Sequence, residues 1–134
     1  MRPGYSRVAV ALFVILASGV FCLAFEIAID VAPETLNLQS EGTVVTVHTD
    51  ISYGLVDIYS VFLNGIQIQS WKADNQGNFV AKFSMDEVKM LDGLVIGGYN
   101  TLQLVGADTD GKAFSGVAEI LVIDVQPEGK GKEK

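Results

Sequence analysis

An all-β fold, an antiparallel β-sandwich of about seven short strands with one brief helical crossover, is what this sequence predicts. Three observations carry the expectation. Apolar residues recur with a period near two in short runs. Turn chemistry interrupts those runs at intervals of roughly ten residues. The strand runs do not alternate with long helical patterns, as a parallel βαβ order requires.

The length bounds the rest. The chain has 134 residues; apart from an N-terminal segment (residues 1–24) and a charged tail (127–134), residues 25–126 amount to one domain of ordinary size. Arg2 and Arg7 precede an unbroken apolar run, Val8 to Leu16, and Ala17-Ser18-Gly19 supplies small residues. This is the pattern of a secretory signal peptide, with cleavage after Gly19 or after Ala24. The uncharged stretch Val8 to Phe25 is 18 residues, long enough at the lower limit to span a bilayer, so a membrane anchor is the alternative. Lipid attachment at Cys22 is disfavoured by the bulky Phe21 before it. Export to the periplasm, cell surface or extracellular space is the expectation.

Along the domain, Phe25, Ile27 and Ile29 alternate with Glu26 and Asp30 as a strand with one buried face. Pro33 has no amide hydrogen to give a ladder and splits this strand from Thr35–Gln39. Thr43–Thr49 is dense in β-branched residues and reads as a strand; Asp50–Leu55 reads as a loop. Ile58, Val61, Phe62 and Leu63 lead to Asn64-Gly65, then Ile66, Ile68 and Trp71 follow. Asn-Gly between apolar runs marks a hairpin, because both central residues need positive φ. Lys72–Asn78 is a turn, and Phe79–Phe83 alternates Phe79, Ala81 and Phe83 against Val80 and Lys82. Ser84 stands three residues before Glu87, the reciprocal cap of a helix start, with Val88 and Leu91 at helical spacing. Asn100–Val105, the turn Asp108–Gly111 and Ala113–Val125 form a closing hairpin, with Leu102 and Leu104, then Ile120 and Val122, on alternating positions that Asp124 would continue.

Thr35–Val47 (TLNLQSEGTVVTV) and Asn100–Gly111 (NTLQLVGADTDG) resemble an immunoglobulin-like module of bacterial and archaeal surface proteins. The likeness covers Ile29 to Asp124. It implies an immunoglobulin-like sandwich serving as an adhesive, spacer or carbohydrate-adjacent unit. Relatives of this kind carry an Asp-rich turn before the strand at Phe79–Phe83, which implies calcium; this chain has Asp74-Asn75-Gln76-Gly77-Asn78 there.

Charge and residue types narrow the function. Both arginines precede the apolar run, so the chain beyond it sets 7 lysines against 16 carboxylates, a net charge of −9. That field argues against nucleic acid and anionic membranes as partners, leaving the membrane reachable only through an uncleaved N-terminal segment. The single cysteine, Cys22, precludes an intramolecular disulfide. The single histidine, His48, lies in mid-strand on the parity of Val44, Thr46 and Asp50, a solvent-facing place that suits a structural role. One histidine and no cysteine cluster exclude structural zinc. Fourteen carboxylates fall in residues 25–126, yet none sits in a hydrolase motif, and solubility accounts for them. No cofactor is expected. Asp74, Asn78, Asp108 and Asp110 are oxygen ligands on turns that could take calcium, and they are equally the ordinary residues of such turns. Tyr59 and Trp71 form a candidate partner-binding strip if both are exposed beside Asn64-Gly65; otherwise Trp71 fills the core and Tyr99 makes a corner hydrogen bond.

The reading is therefore an exported, non-enzymatic module that binds a protein or glycan. Its rival is a structural subunit of a surface fibre or layer, self-associating by strand addition through Phe25–Val31.

Overall fold

The computed structural model describes residues 24–126. The signal peptide, anchor and Cys22 expectations, and the charged tail, lie outside them. Ten strands form: β1 (Phe25–Glu26), β2 (Ile29–Ala32), β3 (Thr35–Asn37), β4 (Val44–Ser52), β5 (Val56–Leu63), β6 (Ile66–Gln67), β7 (Ser70–Ala73), β8 (Asn78–Ser84), β9 (Gly98–Asp108) and β10 (Ala113–Ile123). One short helix, α1 (Met85–Lys89), separates β8 from β9. The first sheet has the order β1-β10-β9-β5-β6, with β3 also on β10; the second has the order β2-β4-β8-β7. The chain is all-β, two sheets enclosing one core.

That core follows the alternation. Val45, Val47, Thr49 and Ile51 point inward from β4, while His48 faces solvent as its parity requires. Phe79, Ala81 and Phe83 from β8 meet Leu102 and Leu104 from β9 and Phe114, Ile120 and Val122 from β10. Each of these side chains is almost wholly removed from water, worth about 1.5–3 kcal/mol apiece for the Phe, Leu, Ile and Val residues relative to exposure. Val80 is buried too, although it is on the outer face. Its register neighbours are His48 on one side and Lys72 on the other, so the imidazole and the lysine stem flank it, a shielding role for the only histidine.

Three departures from the sequence expectation matter. The N-terminal strand breaks twice rather than once: β1 pairs parallel with β10, β2 crosses to pair with β4, and β3 returns to β10. Asp50 fixes the first crossing, since its Oδ1 accepts the Ala28 N–H at 2.9 Å and its own N–H donates to Ala28 O. β4 continues to Ser52, past the expected end at Thr49, because Ile51 keeps the inward parity. Where the β4–β8 register shifts, the Thr49 hydroxyl donates to Phe79 O at 2.6 Å, a side chain standing in for a ladder bond. Asp124 keeps the alternating position of Ile120 and Val122 but lies past the end of β10, where it is exposed and accepts the Gln39 amide at 2.7 Å.

Other expectations match the structure. Asn64 and Gly65 have φ of 46° and 85°, the left-handed pair that a tight hairpin needs. Ser84 Oγ accepts the Glu87 N–H at 3.3 Å and starts α1, which carries the chain from the second sheet to the first.

Candidate partner-binding surface

On one side of the sandwich the edges of both sheets have no neighbouring strand among the described residues: β5 over most of its length, and β7. β5 and β9 pair at Asp57↔Ala107 and again at Phe62↔Val105, so the four residues 58–61 stand opposite Gly106 alone. Ser60 holds this bulge. Its hydroxyl donates to Asp57 O at 2.6 Å and accepts the Ala107 N–H at 2.8 Å. Val61 fills the core. Tyr59, pushed outward, is 75% exposed.

Asn64 then turns the chain, accepting the Gln103 N–H at 2.6 Å through Oδ1 and donating through Nδ2 to Thr101 O. The returning arm pairs for only two residues before crossing to the second sheet, where the Gln69 N–H donates to Lys82 O and Trp71 pairs with Ala81. Trp71 therefore belongs to the opposite sheet from Tyr59, not to the same hairpin. The two rings nevertheless meet edge to face, centroids 5.8 Å apart and planes at 77°. Trp71 is half-buried, its inner part against the core, while Tyr59 leaves a ring face in water. Trp71 is thus neither a fully buried core plug nor a fully exposed ring. Tyr99 makes no buried corner: its side chain is 69% exposed on the first sheet's outer face.

The four turn residues considered for calcium share one end of the molecule. Asp74 Oδ1 accepts the N–H groups of Gln76 and Asn78, at 2.8 and 2.9 Å. Asp108 Oδ1 accepts those of Asp110 and Lys112 at 2.9 and 2.8 Å. The segment Tyr53–Leu55 links the turns, donating from Tyr53 N to Gly77 O and accepting at Leu55 O from Thr109 N. The Asn78 N–H holds the Asp74 carboxyl below its ordinary pKa against an opposing effect of desolvation, with further help from the Gln76 N–H and the nearby His48. Two carboxylates are thus occupied in closing their own turns. Among the described residues no group of three or more His, Cys, Asp or Glu is gathered to hold a metal.

Sequence reasoning missed the bulge. An Ile-Tyr-Ser-Val run reads as ordinary strand, and only Gly106, far along the chain, makes room for it.

Comparison with known proteins adds no relative: no family model matches the chain, and neither do the curated proteins or the solved structures searched.

Proposed function

We propose that this chain is an immunoglobulin-like binding module, exported and non-enzymatic, that engages a protein or glycan partner at the cell surface or in the periplasm through Tyr59 and Trp71. The supporting observation is the exposed Tyr59 ring held against Trp71. A dedicated bulge, anchored by Ser60, keeps a large apolar face in water, where the hydrophobic effect disfavours it. Stacking on a partner's sugar ring or side chain recovers that loss, and aromatic residues of this kind dominate binding hot spots. The acidic surface keeps such a module clear of nucleic acid.

Trp71 is the chain's single tryptophan, so its emission reports on the site without interference. The purified chain is titrated with isolated cell envelope and with defined oligosaccharides while Trp71 emission is followed. Tyr59→Ala retains its melting temperature and loses at least about tenfold in affinity, the scale of one hot-spot residue. Equal binding by the wild type and Tyr59→Ala overturns the reading. Intact mass of the native protein after cell fractionation tests export: loss of the first 19 or 24 residues, or a full-length species in membranes, supports it, and a full-length species in the soluble cytoplasm refutes it.

A further inference from the structure

β10 has one complete neighbour, β9, and one interrupted neighbour. On its other side it pairs with β1 at Phe114 and Ser115 and with β3 from Leu121 to Ile123. Between these the chain has crossed to the second sheet as β2, and nothing among the described residues pairs with β10 there. The direction of the free groups is fixed by the bonds at either end. The Ile27 N–H donates to Ser115 O, and the Leu121 N–H donates to Glu34 O, both at 2.9 Å. Odd-numbered residues of β10 therefore aim their amides at this side, and strand alternation extends that to Val117 and Glu119. The facing strand agrees. Gln103, opposite Val117, spends its N–H on Asn64 Oδ1 and its carbonyl on Asn64 N, on the far side from β10.

Two N–H and two C=O groups of β10 thus have no partner among the described residues, beside a groove of about 320 Å³ whose lining includes Asp30, Glu34, Tyr99, Ala118, Glu119 and Leu121. Exposed edges invite pairing, and proteins normally block them with lysine, proline or a covering loop. Here Val117 is 61% exposed and no lysine lines the groove. The four described lysines lie on β7, β8, α1 and the β9–β10 turn. The charged groups lining the groove are all carboxylates.

We infer that this notch takes an extended, basic peptide strand of a partner protein, added to β10 between β1 and β3. Ile27 and Glu34 bound the notch opposite Gly116 and Ile120, a step of about 13 Å at the rise of a strand, which admits about three residues. Main-chain bonds to Val117 and Glu119 hold the strand; Asp30, Glu34 and Glu119 select lysine or arginine side chains, whose stems lie against Tyr99 and Leu121. The site is separate from the Tyr59–Trp71 pair and does not depend on it.

The test uses the full chain and fluorescein-labelled, end-blocked pentapeptides of alternating valine and arginine, or valine and glutamate, short enough for their ends to turn out of the notch, read by anisotropy. The arginine peptide binds saturably and slows amide exchange at Val117 and Glu119. Glu34→Gln/Glu119→Gln and the glutamate peptide weaken binding by about tenfold or more. Val117→Pro removes one open-side N–H while leaving the β9 pairing intact, and the preceding Gly116 suits a proline; it weakens binding about fivefold to tenfold. Should that variant not fold, N-methylation of alternate peptide residues removes the complementary bonds, those that the peptide N–H groups donate to the Val117 and Glu119 carbonyls. The inference is overturned by any of four results: no saturation below about 1 mM, equal binding of the glutamate peptide, equal binding after N-methylation, or loss of binding in Tyr59→Ala, which would move the peptide to the aromatic pair.

Discussion

Gly106→Ala tests the bulge that exposes Tyr59. A Cβ at this position would lie 2.7 Å from Phe114 Cζ, and 3.1 Å from both Phe114 Cε1 and Val61 Cγ2. Carbon atoms in contact prefer about 3.5–4.0 Å, so the ring must retreat by nearly an ångström. It has little freedom to do so: Phe114 and Val61 are almost wholly buried, and Phe25 packs on the same ring with centroids 6.0 Å apart. Overpacking of this kind costs about 1–3 kcal/mol. In urea, a loss of 2 kcal/mol lowers the unfolding midpoint by about 1 M at a typical slope for a small domain. Because Val61 closes the bulge, the Trp71 emission maximum should move as well. Phe114→Leu shortens the ring side chain and costs stability alone, yet the double variant should lose less than the sum of the singles, since the contact that each disturbs is shared. An unchanged midpoint for Gly106→Ala, or strict additivity, would refute the account of this contact.

Three further expectations concern other elements. Gly116→Ala puts a Cβ 2.7 Å from both Ile27 O and Ile29 Cγ2; because the first is backbone, β1 should detach, seen as rapid amide exchange at Ile27 with Trp71 emission unchanged. Asn64→Ala loses the side-chain bonds to Gln103 N and Thr101 O and strains a residue at φ 46°; a drop of about 1–3 kcal/mol in chemical unfolding is expected, and a neutral result would show that the turn is held by its backbone alone. Asp74 has its pKa lowered in the folded state, so its stabilising effect is complete above the unfolded value near pH 4 and fades as pH falls through the folded one. Wild type should therefore lose more melting temperature than Asp74→Asn on acidification from pH 5 to about pH 2, and parallel acid profiles would count against the carboxylate's role.

How far the sequence was legible depends on what alternation encodes. Period-two patterning reports which face of a strand is buried, and it placed Val45 and Val47, Phe79 to Phe83, and the β9–β10 hairpin correctly. Residues with local mechanisms were legible for the same reason: Asn64-Gly65 through its φ angles, Ser84 through its cap. Alternation does not report which sheet a strand joins. Phe25, Ile27 and Ile29 read as one strand, yet Asp50 and Gly116, distant in sequence, decide that the chain crosses at Ala28. The Tyr59–Trp71 pair was legible as residues but not as geometry, because the crossing at Gln69 sets the two rings on opposite sheets. At the Asp turns the residue types suit a metal and a turn equally, and only the bonds from Gln76, Asn78, Asp110 and Lys112 show the carboxylates engaged with their own backbone.

The two surfaces argued for binding share an origin. Each arises where a strand leaves regular pairing: β5 bulges at residues 58–61, and the N-terminal chain leaves β10 between Ser115 and Leu121. Each departure is permitted by a glycine on the neighbouring or facing strand, Gly106 or Gly116, where a Cβ would collide with packed atoms. Each departure also serves the core: β2 pairs with β4 and buries Val31, and the bulge seats Val61. Neither packing role requires an aromatic ring at the exposed position 59 or an edge without lysine beside Val117 and Glu119, and edges left open are sites of unwanted association. Retaining an exposed aromatic on one side and an open acidic edge on the other is the expected outcome when stability is traded for contacts with partners.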